Sequence, residues 1–262
     1  MQLKFNLYGF IIGLAIVISS RLIEEQLKHE KILNAIFYKV SLFSFAFAIL
    51  GARVWHVSTD FYLYRHNLLA TLEIWNGGMS IFGGVLGGVV GLMIATFFIK
   101  ELKDESIKFK KNTVAKFLDY TVFGLPLGQA VGRLGNYFNQ ELYGAPSNGL
   151  FKIFIDKEYR LPGFEQVEYY HPLFFYEMIA TGLFVTVLYF LKNKMPQKLP
   201  KIGSGNLFLI YILYYSVIRF FLDFLRLDKS ISGFFSLGMN QVFLLFLVLA
   251  ITVYFQFNKK QL

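Results

Sequence analysis

Long apolar runs alternate along the chain with short, mostly basic connections. Seven runs reach the length of a bilayer crossing, at about 5–20, 36–57, 79–99, 113–138, 171–191, 205–225 and 237–257, since a spanning helix needs about 20 largely apolar residues. Within each run the apolar residues lie all round the helix rather than along one stripe, as suits a helix bathed in lipid. The first run has no basic leader and no small-residue cleavage site, so it reads as a helix and not a signal peptide. The connection at about 139–170 is different. Pro146, Asn148, Gly149, Pro162 and Gly163 are turn formers, and Leu150–Ile155 alternates weakly enough to predict a short strand. The pattern predicts an all-α polytopic membrane protein: one integral membrane domain over 1–262, seven transmembrane helices, and a small extracytoplasmic cap between helices 4 and 5.

Composition agrees. Of 262 residues, 55% are apolar, 19% aromatic and 16% charged, against about 25% charged in a soluble domain. Mean hydropathy is +0.50. These values exclude a disordered chain, a disulfide scaffold and an ordinary cytosolic enzyme. With no cysteine, any thiol in the chemistry belongs to a partner, and four scattered histidines suggest no metal site. The net charge of +9 lies between apolar runs, which points to an anionic membrane leaflet and not to nucleic acid. Sixteen lysines and arginines fall on one side of the seven runs and seven on the other (Lys4, Arg65, Lys152, Lys157, Arg160, Arg226, Lys229). Positive charge stays inside, so the N-terminus is expected outside and the C-terminus in the cytoplasm.

In that orientation the polar residues of five helices share one depth, near the outer headgroups. They are Tyr8, Arg53, the group Arg133, Asn136 and Asn139, the group His171, Tyr176 and Glu177, and the pair Arg219 and Asp223. Ionisable residues inside a bilayer are costly and so mark function. A transporter would place them nearer the midplane and show repeats. Three arginines at one depth suit a phosphate, because a guanidinium binds it in a two-pronged fork. The glycines 83, 87 and 91 and the pair 84 and 88 form small faces that let helices approach closely. Ser80 lacks a histidine base and makes a weak protease nucleophile.

The stretch Gly132-Arg133-Leu134-Gly135-Asn136-Tyr137-Phe138-Asn139-Gln140-Glu141-Leu142-Tyr143-Gly144 resembles the signature of the prolipoprotein diacylglyceryl transferase family. Further matches are Leu7-Tyr8-Gly9, Gly51-Ala52-Arg53, Trp75 through Gly84, His171 through Glu177, Arg219 through Asp223 with Arg226, and Gln241, so that the resemblance covers essentially the whole chain. It implies a multi-pass enzyme of the bacterial inner (plasma) membrane with its site toward the outer face. The reaction implied is transfer of the diacylglyceryl group from phosphatidylglycerol, a membrane lipid, to the lipobox cysteine of a prolipoprotein signal peptide. A thioether forms and glycerol phosphate leaves, as the first step of lipoprotein maturation, with no metal, nucleotide or other cofactor.

Carried over by position, the resemblance assigns activity to Tyr8, Arg133, Asn136, Glu141, Gly144 and Arg219. Arg133 and Arg219 are expected to bind phosphate, Asn136 to orient the headgroup, Glu141 to hold an arginine, and Gly144 to permit a tight turn. Arg53, Asn139 and Asp223 complete the expected phosphatidylglycerol site. Two positions depart from the family: Phe82 stands where many members have histidine, and Asp223 where glutamate is common. Phe82 cannot act as a base. The thiol proton is then left to His171, to a carboxylate (Glu141, Glu177 or Asp223), or to an arginine field that favours the thiolate. The competing readings are a secondary transporter of an anionic or lipid substrate and an intramembrane peptidase. The peptidase would need Asp119 and Asp223 together, yet they fall toward opposite membrane faces.

Overall fold

The computed structural model describes residues 7–28, 30–74, 77–98, 113–227 and 237–258, the side chains of 31–35, 81, 82 and 239 excepted. Trp75 and the Phe82 side chain, both singled out above, lie outside the described residues. Among those described there are eight α-helices: α1 (Leu7–Leu27), α2 (Lys31–Thr59), α3 (Ile81–Phe98), α4 (Thr113–Thr121), α5 (Leu125–Phe138), α6 (Leu173–Lys194), α7 (Asn206–Leu222) and α8 (Met239–Phe257). Five are long and apolar enough to cross a membrane: Leu7–Leu27, Ile36–Thr59, Leu173–Lys194, Asn206–Leu225 and Asn240–Phe257. Gly83–Phe98 is a shorter apolar helix. A protein with this set of helices is a multi-pass membrane protein.

The expected fourth crossing is broken. Pro126 has no N–H to continue the ladder, so α4 stops at Thr121 and α5 begins at Leu125. Carbonyls at the break also accept from side chains, which helps satisfy the backbone in an apolar setting. Tyr189 donates to Phe123 O at 3.1 Å and Ser19 Oγ to Gly124 O at 3.1 Å. In α1 the helix outlasts its apolar run, because Arg21, Glu24, Glu25 and Gln26 are good helix formers and Arg21 pairs with Glu24 at 3.1 Å.

The chain divides into two compact units, Met1–Gln26 with Leu118–Leu262, and Leu27–Phe117. In the second unit α2 packs closely on α3 through the expected glycine face. A Cβ on Gly83 would come within 2.2 Å of Gly51 O, so backbone meets backbone there.

In the first unit the cap carries the expected strand, shortened to β1 (Ile153–Phe154), which pairs antiparallel with β2 (Tyr169–Tyr170). Tyr143, Ile155 and Tyr170 form its core, with Leu161, Phe164 and Val167 packed around them. The Tyr170 hydroxyl donates to Phe164 O and Val167 O at 2.8 and 3.0 Å, and burial pushes its pKa up. The cap is therefore a small packed body seated on the ends of α5 and α6. At the start of α8, buried Gln241 accepts from Gly238 N–H at 2.9 Å and donates to Phe220 O at 3.4 Å.

Candidate active site

The signature stretch runs through the last turns of α5 and into the cap. Gly135 faces α1, where a Cβ would lie 2.7 Å from the Tyr8 ring. Glycine at this position lets the Tyr8 ring sit against α5, one residue from Asn136. After Phe138 the helix ends and the chain reverses sharply. Gln140 and Leu142 both take the left-handed conformation, with φ of 50° and 57°, an uncommon and costly state for residues with a Cβ. Side-chain and backbone bonds hold them there. Gln140 Oε1 accepts from Asp156 N–H at 2.6 Å, and Leu142 O accepts from Phe174 N–H at 3.1 Å. The reversal carries Glu141 back over α5, and its own N–H donates to Asn136 O at 3.0 Å.

Glu177 of α6 is completely buried and is the hub of the site. Its Oε1 accepts from Arg133 Nη2, from Gln129 Nε2 at 2.9 Å and from the Tyr215 hydroxyl at 2.8 Å; its Oε2 accepts from Arg219 Nη1 at 3.2 Å. The Tyr211 hydroxyl donates to Gln129 Oε1, which turns the amide nitrogen toward Glu177. Arg219 Nη2 lies 3.3 Å from Asp223 Oδ1, and Arg226 Nη1 lies 3.7 Å from the same oxygen. Arg133 reaches a second group through Nη1, which donates to Asn136 Oδ1 at 3.1 Å, while its buried Nε has no hydrogen-bond partner among the described residues. Two expected phosphate binders are thus joined through one carboxylate. Gln129, Tyr211 and Tyr215 were not anticipated. Their spacing is the available signal: Tyr211, Tyr215, Arg219 and Asp223 recur every fourth residue along α7, and Gln129 precedes Arg133 by one turn.

Glu141 differs from expectation. Among the described residues it pairs with no arginine; its Oε1 accepts from Asn136 Nδ2 at 2.8 Å and from Asn139 Nδ2 at 3.5 Å. It is exposed on a cavity of about 730 Å³ lined by Asn136, Asn139, Gln140, Tyr159 and Arg226 among others. Gly144 serves close approach: a Cβ there would lie 2.8 Å from Leu225 O and 3.0 Å from Leu173 Cγ. His171 Nδ1 lies 3.0 Å from the Tyr176 hydroxyl, and its backbone pairs with Gly144 and Ala145. The unit therefore gathers Tyr8, Arg133, Asn136, Asn139, Glu141, Gly144, Arg219 and Asp223 around the ends of α5, α6 and α7.

Arg53 belongs to the other unit. Its guanidinium donates five bonds to backbone carbonyls: Nε to Thr71 O (2.8 Å), Nη1 to Gly77 O and Gly78 O (2.6 and 3.0 Å), and Nη2 to Ala70 O and Glu73 O (2.6 and 3.3 Å). Those bonds use all five of its N–H groups. Arg53 thus fastens the segment after α2 to the helix. Hydrogen bonds to a charged group contribute about 1.5–3 kcal/mol each, so Arg53→Ala should expose the chain between Asp60 and Glu73 to limited proteolysis at least tenfold faster than wild type.

The fold and this site define a multi-pass helical membrane protein whose helix ends hold two arginines on one buried carboxylate. The sequence profile described as prolipoprotein diacylglyceryl transferase matches residues 1–257. The chain belongs to that family. Relatives named phosphatidylglycerol–prolipoprotein diacylglyceryl transferase include one from Thermosynechococcus vestitus, 31% identical over 86% of this chain and 79% of the relative. Another, from Clostridium botulinum, is 33% identical over 88% of this chain and 85% of the relative.

Proposed function

We propose that this chain transfers the diacylglyceryl group of phosphatidylglycerol to the lipobox cysteine thiol of a prolipoprotein signal peptide, forming a thioether and releasing glycerol phosphate. The observation that carries this reading is the Arg133–Glu177–Arg219 arrangement within the signature of the family. When the glycerol C–O bond breaks, a phosphodiester monoanion becomes a monoester dianion. Two fixed guanidinium groups stabilise the charge that develops in that step, and the shared Glu177 keeps them together before the lipid arrives. Asn136, bonded to both Arg133 and Glu141, orients the headgroup with Asn139 and Tyr8. Asp223 holds Arg219 beside Arg226, Gly144 lets the cap sit close against the chain at Leu225, and Arg53 acts by fastening the segment after α2.

In this reading the chain crosses the bacterial inner membrane seven times, with its N-terminus and site outside. The asymmetry of sixteen basic residues against seven supports the orientation. A reporter fused to the C-terminus should be active only in the cytoplasm, and one inserted near Asn148 only outside; the reverse pattern refutes the topology. The reaction itself is tested by incubating purified protein with phosphatidylglycerol and a lipobox peptide. The peptide should gain the mass of a diacylglyceryl group as glycerol phosphate appears, and no such gain refutes the activity.

A two-aspartate peptidase does not fit this site. Asp119 accepts from the N–H groups of Gly203, Gly205 and Phe208 at the start of α7, whereas Asp223 follows its end. At 1.5 Å per residue the 17-residue helix holds them about 25 Å apart.

A further inference from the structure

The attacking thiol belongs to the substrate peptide, since this chain has no cysteine. A thiol with a pKa of about 8.5 is mostly protonated at neutral pH, so the transfer needs a proton acceptor. Resting on the transferase reading above, we propose that Glu141 is that acceptor, the catalytic base that takes the proton from the attacking thiol.

The other carboxylates of the site are committed elsewhere. Glu177 is buried and accepts from two arginines, a tyrosine and a glutamine. Binding a proton would break at least one of those bonds and leave the arginines without their counter-charge. Asp223 is buried between Arg219 and Arg226 at 3.3 and 3.7 Å. A carboxylate held by guanidinium groups is a poor base. Glu141 differs on each count. It is exposed, it lines the cavity, and both of its donors are neutral amides on Oε1, which leaves Oε2 without a hydrogen bond among the described residues.

The groups facing it fit the task. Arg226, with Tyr143 and Tyr159, lines the same cavity. The Tyr8 ring of α1 packs against α5 at Gly135, one residue from Asn136. Arg133 acts on Glu141 through Asn136, which accepts from the arginine and donates to the glutamate. One asparagine therefore couples the phosphate-binding arginine to the carboxylate, and sets proton acceptor and leaving-group site side by side. The two left-handed residues that flank Glu141 show that the fold bears a conformational cost to place it there.

The step balances. The thiol proton passes to a Glu141 oxygen as the sulfur lone pair forms the C–S bond at the glycerol carbon. The electrons of the C–O bond leave on the phosphate oxygen, glycerol phosphate departs as a dianion between the arginines, and Glu141 returns its proton to water.

Glu141→Gln keeps size and polarity and removes the base. A general base contributes roughly a hundredfold or more, so single-turnover adduct formation with a lipobox cysteine peptide at pH 7 should fall by at least that factor. The remaining rate should climb as pH rises toward the ionisation of the thiol itself, at about 8.5. The same peptide with selenocysteine carries a nucleophile already ionised at neutral pH. With it, Glu141→Gln should run within about threefold of wild type, because no base is then needed. An equal loss with both peptides would mean that Glu141 only shapes the site and would overturn the proposal, as would full activity with the cysteine peptide. Wild-type protein that modifies neither peptide would instead defeat the transferase reading, and this proposal with it.

Discussion

Glu177→Gln is expected to be among the most damaging single changes in the first unit, in stability as well as in activity. The wild-type carboxylate answers two guanidinium groups, an amide and a phenol at the same buried place. Glutamine keeps the volume but removes the charge. Its single oxygen can serve one side of the cluster, and its amide nitrogen then presents donors to an arginine that needs an acceptor. Removing one partner of a buried ion pair costs about 3–5 kcal/mol, because the other charge remains buried. For a chain of this size that corresponds to a fall of about 10 °C in the thermal midpoint, measurable on detergent-solubilised protein. Tyr215→Phe removes one neutral donor from the same oxygen and should cost only about 1 kcal/mol. If Glu177→Gln melts with wild type, Glu177 is not the counter-ion that holds the two arginines together.

That hub was only partly legible in the sequence. Its arginines and acids stood out because charge inside an apolar run is conspicuous. Tyr211 and Tyr215 did not, since the chain has 16 tyrosines and a phenol in an apolar helix reads as packing. Which acid meets which arginine depends on how α5, α6 and α7 pack, and no local pattern encodes that. The placement of Glu141 was hidden for a different reason. Its position depends on left-handed backbone at Gln140 and Leu142, neither of which is the glycine or asparagine that would announce such a turn. The length of the apolar runs, in contrast, located the helices well, because burial in lipid makes a long continuous signal. It failed at Pro126, where a run that is continuous in hydropathy is interrupted by one missing N–H. Arg53 shows the limit of charge as a guide, since an arginine near a helix end can serve backbone carbonyls as readily as a ligand.

Lysine in place of Arg133 or Arg219 tests whether the fork matters or the charge is enough. Arg133 uses one arm for Glu177 and the other for Asn136; Arg219 uses one arm for Glu177 and the other for Asp223. A lysine keeps the positive charge but ends in a single ammonium point. It can hold the hub or the second partner, and it cannot present two parallel N–H groups to a phosphate. Each single variant should therefore lose at least tenfold in the rate of adduct formation, which is about 1.4 kcal/mol of barrier. The double variant separates two origins of that loss. If both arginines grip the same departing phosphate, they act as one unit, and the double lysine variant should lose clearly less than the product of the two single losses. Strict multiplication would assign them to independent tasks. Wild-type turnover in both single variants, at normal expression, would remove them from the chemistry altogether.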